Sequence, residues 1–282
     1  MKKTIVITGI NGFLGSRLKD ILNNDFQLYG IERKEDFNGP IKTFASTNLD
    51  EIDINPDFVI MCHAAVSSGQ INVETDLLYQ VNVKLTNEIL AKFNNSKIIY
   101  ISSASIYNLN ETIITENTVN SPNNEYAISK YWAEKLVLNT NRAVIVRLSS
   151  LYGVKMKENT IIPNYINQAL NNGNIEVWGE GKREQNYIFI DDVCSLIKNV
   201  FEKFNKVCNK TLLAVSNREY TNLELAKIIA KETNAKIKLV NQDYSASLNY
   251  NNLETRTVLN WKAESNFKQE IIKYIKWKQK QS

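Results

Sequence analysis

Histidine and paired cysteine are the scarcest features of this 282-residue sequence, and their scarcity excludes several kinds of protein. His63 is the only histidine, and the three cysteines are Cys62, Cys194 and Cys208. The cysteines form no CxxC pair and their number is odd, which argues against a disulfide framework and against a zinc site. We therefore expect no metal site, and a reducing compartment suits the free thiols.

Long hydrophobic runs and a strong excess of one charge are also lacking. No apolar run reaches the roughly 18 residues that a membrane span needs, and the short β-branched run after Lys2 and Lys3 stops at Gly9, unlike a secretory signal. The 34 basic and 30 acidic residues leave a net charge of +4, too near balance to indicate nucleic-acid binding. We expect a cytoplasmic protein with no membrane or nucleic-acid partner, whose mildly basic surface suits an anionic small molecule.

Strand-like and helix-like segments alternate through the first half of the chain. The predicted strands are 3–8, 26–31, 58–62, 97–101 and 143–147, and the predicted helices are 13–24, 74–94 and 124–139. Continuous apolar strands separated by helices are typical of a parallel sheet covered on both faces. The sequence thus predicts an α/β fold, with a Rossmann-like, doubly wound parallel sheet over residues 1–150.

The second half predicts a smaller α/β lobe that is interleaved with the main sheet. Helices are expected at 160–172, from 191 onward, at 221–232 and at 265–279, with strands near 175–178, 186–190, 211–215 and 236–240. We expect the chain to return to the main sheet at 186–215. Residues 151–282 would otherwise form mostly a substrate-binding lobe.

Three glycines follow the first predicted strand and open the first predicted helix. The segment reads Gly9-Ile10-Asn11-Gly12-Phe13-Leu14-Gly15, with GxxGxxG spacing. Such glycines allow a tight turn, close approach to a pyrophosphate and packing of the helix on the strand, while the helix N-terminus favours phosphate charge. A tight turn that binds nothing is the alternative, but the position in the first strand–helix unit favours a dinucleotide-binding loop.

The end of the second predicted strand bears on the choice of cofactor. Glu32 is placed to accept a hydrogen bond from the ribose 2′-hydroxyl of NAD. Arg33 and Lys34 follow it and are suited to the 2′-phosphate of NADP. An ordinary solvated charged loop is the third interpretation. We expect NADP slightly more than NAD.

A tyrosine, a lysine and a serine form a candidate catalytic set. Tyr126 and Lys130 are four residues apart in a predicted helix and so share a face. Because the reference pKa of tyrosine is about 10, we expect the Lys130 ammonium to lower the pKa of Tyr126 and to allow proton exchange with a substrate. Ser103 follows a predicted strand, where catalytic groups of this architecture lie, and can polarise a substrate oxygen.

These motifs together resemble the extended short-chain dehydrogenase/reductase family, in its group of nucleotide-sugar epimerases, dehydratases and reductases. The resemblance covers nearly the whole chain. Besides the glycine loop and the Ser103, Tyr126 and Lys130 set, it rests on residues 62–65, 81–83 with Thr86, Tyr107, 146–148, 152–153, 178–181 and 190–193.

The resemblance also implies roles for individual residues. Ser103 and Tyr126 would hold the reacting oxygen, Lys130 the nicotinamide ribose, and His63 would pack beside the cofactor rather than act as a base. Further cofactor contacts would come from Ala64, Ala65, Asn82 and Ser102. Substrate contacts would come from Tyr107, Ser150, Val177, Trp178, Arg183 and Gln185. For Trp178, stacking on a nucleotide base and burial in a core are equally open.

The chain departs from the family pattern at several positions. Ala104 and Ser105 follow Ser103, where dehydratases of the family have Asp-Glu, so the acid and base for elimination of water are missing. Gln185 stands where one diphosphate-binding arginine is usual, and the second usual arginine and the asparagine near Ser150 are also missing. Arg183, Arg218 and Arg256 are candidates to compensate.

Three functions remain open from the sequence. The first is NADPH-dependent reduction of a 4-keto nucleotide sugar, and the second is an NAD-dependent 4-epimerase. The third is a non-catalytic nucleotide-sensing module, which the presence of both Tyr126 and Lys130 disfavours. The family commonly forms homodimers through helices such as 74–94 and 124–139, so we expect a homodimer.

Overall fold

The computed structural model describes residues 2–34, 39–66, 73–107 and 113–281, and buried runs rich in β-branched residues form the central strands of its main sheet. In chain order the strands are β1 (Thr4–Thr8), β2 (Gln27–Glu32), β3 (Thr43–Ala45), β4 (Phe58–Met61), β5 (Lys97–Ser103), β6 (Ile113–Ile114), β7 (Ala143–Leu148), β8 (Ser150–Tyr152), β9 (Asn174–Trp178), β10 (Glu184–Phe189), β11 (Thr211–Ala214), β12 (Glu219–Thr221), β13 (Lys236–Val240) and β14 (Asn249–Tyr250).

Helices lie between the strands along the chain. In chain order these are α1 (Phe13–Leu22), α2 (Thr75–Leu78), α3 (Leu85–Lys92), α4 (Glu125–Leu138), α5 (Ile161–Asn172), α6 (Ile190–Val207), α7 (Asn222–Thr233), α8 (Leu253–Leu259) and α9 (Phe267–Gln279). A π-helical stretch, Tyr79–Lys84, joins α2 to α3. Within the described ranges, no helix is long and apolar enough to cross a bilayer.

Seven parallel strands form the main sheet in the order β11-β7-β5-β4-β1-β2-β3. One face packs against α1 and α6, and the other packs against α3 and α4. From β1, the strand order runs through β2 and β3 on one side and through β4, β5, β7 and β11 on the other. Ligands of such sheets bind beyond the carboxyl ends of the strands where the order changes direction. The predicted Rossmann-like, doubly wound fold is confirmed, and a ligand site is expected at the carboxyl ends of β1, β2, β4 and β5.

The remaining strands form three small sheets, with orders β12-β10-β8, β13-β9 and β14-β6. Apolar side chains of α5, α7, α9 and β9 share one core there. The expected return to the main sheet at 186–215 is made by β11 beside β7. By contrast, β10 pairs with β8 and β12 outside the main sheet, because an apolar run predicts a strand without predicting its partners.

Candidate active site

The glycine loop between β1 and α1 closes through its own main chain. Gly9 has a φ of 65°, and the Gly12 N–H donates to the Gly9 carbonyl oxygen at 2.9 Å. A Cβ at Gly15 would lie 2.1 Å from that oxygen, so no side chain fits there. No side chain of the described residues caps the first turn of α1. Its backbone N–H groups therefore suit a phosphate, as predicted from the spacing.

The side chains of the loop residues differ in what they can reach. Leu14 is buried and packs in the core under α1, so its backbone is the part that faces the loop. Phe13 is half-buried between the two large cores, and Asn11 is exposed. The cofactor contacts predicted for this segment would therefore be made by backbone atoms and by the exposed Asn11 side chain rather than by apolar side chains.

The carboxyl ends of β1 and β4 are joined through His63. Its Nδ1 lies 2.6 Å from Thr8 Oγ1, and its Nε2 lies 3.1 Å from Thr86 Oγ1. The Thr86 hydroxyl donates its proton to the Asn82 carbonyl oxygen at 2.8 Å, so we assign the imidazole proton to Nε2. Burial, together with the Lys130 charge, lowers the pKa of His63 to about 3. His63 is therefore a neutral connecting residue, which agrees with its predicted packing role.

Asn82 lies in the π-helical stretch and holds the loop that follows β4. Its Oδ1 accepts from the Ala65 N–H at 2.9 Å, and its Nδ2 donates to the Ala65 carbonyl oxygen at 3.0 Å and to Ser129 Oγ at 2.9 Å. Both amide hydrogens are thus given to protein acceptors, and the residue is fully buried. Asn82 thus positions Ala65 beside the exposed Ala64, and its predicted contact with the cofactor stays a prediction.

Glu32 ends β2 beside the glycine loop. Its Oε1 accepts a hydrogen bond from the Asn11 N–H at 2.6 Å, which fixes the carboxylate at the edge of the loop. Arg33 and Lys34 follow it and are exposed. A carboxylate in this position accepts from a ribose hydroxyl and repels a 2′-phosphate.

Ser103 and Tyr126 meet at the carboxyl end of β5. Helix α4 begins at Glu125, capped by Asn124, whose side chain accepts from the Ala127 N–H at 2.9 Å, and this start places Tyr126 in the first turn. Burial raises the pKa of Tyr126 to about 12, opposed by its hydrogen bond with Ser103. The phenol is therefore a proton donor at neutral pH, paired with the predicted serine.

Lys130 lies one turn further along α4 and is 1% exposed. Its Nζ donates to the Ile101 carbonyl oxygen at 2.8 Å and lies 4.1 Å from the centre of the Tyr100 ring. Burial lowers the pKa of Lys130 to about 7, opposed mainly by the charge of Glu134. The expectation that Lys130 lowers the pKa of Tyr126 is not met, because burial dominates at the tyrosine and the ammonium is directed at β5.

The residues around the loop fit a nicotinamide dinucleotide. The loop can close tightly because a Cβ at Gly15 would clash with the Gly9 carbonyl oxygen, and Glu32 lies at its edge with its carboxylate held by the Asn11 N–H. The Ser102 hydroxyl is buried at the end of β5 and has no hydrogen-bond partner among the described residues. An unpaired buried hydroxyl is costly unless a ligand satisfies it.

Two predicted substrate contacts are wrong as side-chain contacts. Tyr107 is fully buried, and its ring lies under the Arg147 guanidinium at 4.5 Å. Val177 is also fully buried and packs in the core of the small lobe, because alternate residues of β9 face that core. Ser150 is exposed at the start of β8, and Trp178 is 53% exposed at the end of β9. Trp178 is therefore the member of this group with a free aromatic face.

The candidate diphosphate-binding residues occupy different surroundings. Arg183 Nε donates to the Ala246 carbonyl oxygen at 3.4 Å. Gln185 Nε2 donates to Asn222 Oδ1 at 2.9 Å, and Asn222 in turn donates to Asp243 at 3.4 Å. Gln185 thus belongs to a hydrogen-bond network that ends at the Asp243 carboxylate, whereas Arg183 supplies a positive charge two residues away.

The other two candidate arginines are engaged elsewhere. Arg218 pairs with Glu224 at 2.8 Å and lies over the Tyr220 ring. Arg256 lines a groove of about 640 Å³ between α6 and α8, together with Asp191 and Trp261. None of the described residues predicted for the cofactor or the substrate lines this groove, so Arg256 does not join Arg183.

Sequence reasoning missed several residues that shape the site. Ser105 Oγ lies 2.9 Å from Ser103 Oγ, and Thr8 holds His63. Glu134 forms a buried, bidentate ion pair with Arg147. Its four-residue spacing from Lys130 was the available signal, since residues four apart share a helix face.

Known proteins resemble this chain in sequence. A sequence model of the NAD dependent epimerase/dehydratase family matches residues 5–214. The chain is 27% identical to dTDP-D-glucose 4,6-dehydratase of Dictyostelium discoideum over 80% of this chain, but it spans only 61% of that protein. It is 23% identical to a candidate UDP-glucose 4-epimerase of Methanocaldococcus jannaschii, over 97% of each chain.

Solved structures share the fold. The UDP-glucuronic acid 4-epimerase of Bacillus cereus in complex with NAD superposes with a TM-score of 0.82 at 18% identity, covering 97% of this chain and 99% of that one. At this level of identity the likeness concerns the fold. With the family match over residues 5–214 and the loop and Ser103, Tyr126 and Lys130 geometry above, the chain belongs to the NAD dependent epimerase/dehydratase family, whose enzymes are of the extended short-chain dehydrogenase/reductase type.

Proposed function

We propose that this protein is an NAD-dependent 4-epimerase of a nucleotide sugar. The observation that carries the proposal is the hydrogen bond from the Asn11 N–H to the Glu32 carboxylate, which sets a negative charge beside the glycine loop. A free 2′-hydroxyl is accepted there, and a 2′-phosphate is repelled. This favours NAD over the NADP that the sequence slightly favoured.

The chemistry follows from three side chains. A bound nicotinamide dinucleotide would supply the hydride acceptor and, when oxidised, a positive charge that favours the phenolate of Tyr126. Tyr126 takes the proton of a sugar hydroxyl as the carbon is oxidised and returns it after the opposite face is reduced, with Ser103 hydrogen-bonded to the same oxygen. Lys130 is placed to hold ribose hydroxyls.

A nucleotide sugar suits the substrate side. Trp178 has a free aromatic face for a base, and Arg183 supplies charge for a diphosphate. The UDP-glucuronic acid 4-epimerase of Bacillus cereus, which shares the fold, binds NAD. The uncharged Ala104 and Ser105 after Ser103 speak against elimination of water, although one relative is a 4,6-dehydratase.

The second candidate is NADPH-dependent reduction of a 4-keto nucleotide sugar. Tyr126 with its pKa of about 12 is a proton donor, as a reduction needs, and exposed Arg33 and Lys34 adjoin Glu32. A nucleotide-sensing module without catalysis ranks third, because the Ser103, Tyr126 and Lys130 set is complete.

We also propose a homodimer. Leu77 and Tyr79 on the α2–α3 segment and Ile128 and Trp132 on α4 are large apolar residues that are 42% to 51% exposed. The Tyr79 and Trp132 rings are 5.6 Å apart, so the patch is continuous across the two elements. A second copy would cover it. The cytoplasmic location stays a prediction.

The decisive experiment identifies the nucleotide that the purified protein retains. The protein is denatured, and the released nucleotide is separated and tested as NAD or NADP. Retained NAD, with interconversion of a UDP-sugar and its C4 epimer and no net change in NADH, is expected. Release of NADP, or NADPH consumption with 4-keto sugars, would favour the reductase instead, and no turnover across UDP-, dTDP-, CDP- and GDP-sugars would favour the sensing module.

A further inference from the structure

We propose that Glu134, held by Arg147, is a positioning residue that supplies the buried counter-charge keeping Lys130 a cation in the active site. The inference rests on the proposed function only in giving Lys130 a role in the reaction. The electrostatic relationship itself belongs to the folded chain.

Lys130 needs such a partner because it is almost completely withdrawn from water. Its Nζ has one backbone hydrogen bond, to Ile101, and a contact with the Tyr100 ring. Neither of these neighbours carries a negative charge, and an ammonium removed from water is disfavoured relative to the amine. A buried lysine without an anion nearby therefore tends to lose its proton.

The titratable groups that face Lys130 come from three elements. Cys62 and His63 follow β4, Tyr100 lies on β5, and Glu134 lies on α4. Burial raises the pKa of the Cys62 thiol and of the Tyr100 phenol and lowers that of His63, so all three are neutral at pH 7. Glu134 is the remaining anion among these described neighbours; the Arg147 cation on β7 is bound to it, yet the charge of Glu134 still favours the ammonium form of Lys130.

Glu134 can act as the counter-charge of Lys130 because Arg147 holds its carboxylate in place. Arg147 Nε donates to Oε1 at 2.9 Å and Nη2 donates to Oε2 at 2.6 Å, with both side chains 3% exposed or less. Burial alone would lower the pKa of Arg147, but the hydrogen bonds and charge of Glu134 outweigh burial and raise it. The pair joins α4 to β7, so the carboxylate stays one helical turn from Lys130.

The alternative is a purely structural role, in which the ion pair only holds α4 against the main sheet. Buried ion pairs can often be replaced by neutral residues of similar size without loss of stability, whereas removal of one partner is strongly destabilising. The paired variant Glu134→Gln with Arg147→Met therefore separates the two roles. A fastening role predicts wild-type behaviour of Lys130 in this variant, and a counter-charge role predicts a changed Lys130.

The test follows Lys130 directly in the full-length protein labelled with ¹³Cε-lysine, with Lys130→Met used to assign its resonance. We expect the paired variant to stay folded, with the titration midpoint of Lys130 about 1 pH unit lower than in the wild type. The upper limb of the pH profile of kcat should move in the same direction. Glu88→Gln, which removes an exposed carboxylate from α3, should move neither.

The outcomes are distinct. A folded paired variant with unchanged Lys130 titration would overturn the inference. If the paired variant fails to fold, Glu134→Asp is used instead, because it keeps the charge but retracts it by one methylene. The titration midpoint of Lys130 should still fall in this variant. An unchanged midpoint would contradict the inference. Because the titration needs no substrate, a shift in a protein without epimerase activity would refute the proposed function and leave this inference standing.

Discussion

Ser103 Oγ lies 2.9 Å from Ser105 Oγ, in the one-turn helix that follows β5. The Ser105 N–H also donates to Ser103 Oγ at 3.2 Å. Ser103, the proposed catalytic serine, is thus oriented by its own short loop, and it is also hydrogen-bonded to Tyr126. The proposed proton exchange depends on Tyr126. Burial and the Ser103 hydrogen bond, rather than its neighbours in the sequence, set the pKa of this tyrosine.

Substitution of Tyr126 tests that dependence. Tyr126→Phe removes the proton donor while keeping the ring, so we expect kcat to fall by roughly 10² to 10⁴ with little change in the affinity for NAD. The measurement is epimer interconversion together with nucleotide binding by fluorescence. Ser105→Ala serves as control and should lower kcat less, since Ser105 acts through Ser103. Full activity of Tyr126→Phe would refute the mechanism.

The cofactor preference should be carried by Glu32. A hydrogen bond to a charged group contributes about 1.5 to 3 kcal/mol, so Glu32→Gln should weaken NAD binding by roughly tenfold or more and reduce the discrimination against NADP. Titration calorimetry with both nucleotides measures this. Arg33→Gln is the matched neighbour and should leave NAD binding nearly unchanged. An equal loss for both variants would remove the reason for preferring NAD.

The buried Lys130 predicts a definite pH dependence of stability. Its pKa is about 7 in the folded protein, against about 10.4 when unfolded, so between these values the unfolded chain binds more protons. Stability should therefore rise with pH in this window relative to Lys130→Met. The penalty is full below pH 7 and relieved towards pH 10. Urea unfolding of both proteins at pH 6, 8 and 9.5 measures the difference, and a constant difference would contradict the prediction.

His63 offers a spectroscopic test, because it is the only histidine in the chain. With its pKa lowered to about 3, the imidazole should remain neutral from pH 5 to pH 8, with its proton on Nε2. Two-bond ¹⁵N–¹H spectra report the tautomer and the ionisation. Titration near pH 6.5 would mean that the Thr8 and Thr86 contacts do not persist.

The proposed dimer can be tested with two exposed tryptophans. Trp132→Glu places a charge in the apolar patch on α4 and should convert the dimer to a monomer, read by sedimentation velocity. Trp178→Glu alters an equally exposed tryptophan on β9 and should leave the dimer intact. A dimer that survives Trp132→Glu would place the interface elsewhere.

The spacing of residues along the sequence predicted the short-range features of this fold. The glycine loop, the shared helix face of Tyr126 and Lys130, and the parallel strands were predictable because each depends on residues a few positions apart. The burial of Tyr107 and Val177 was not, since it depends on what other elements pack against them. The acidity of Tyr126 and the Glu134–Arg147 pair likewise required knowing which side chains meet from α4, β5 and β7.

The contact between Gly15 and the Gly9 carbonyl has a consequence for how this protein can diversify. A Cβ added at Gly15 would lie 2.1 Å from that oxygen. Main-chain atoms alone therefore set the width of the turn, and a side chain at Gly15 cannot adjust it. Changes in nucleotide preference are therefore expected at the end of β2, where Arg33 is exposed and Glu32 meets the loop through the hydrogen bond from the Asn11 N–H. The nucleotide loop thus has one end that is sterically closed, at Gly15, and one end that is exposed, at Arg33.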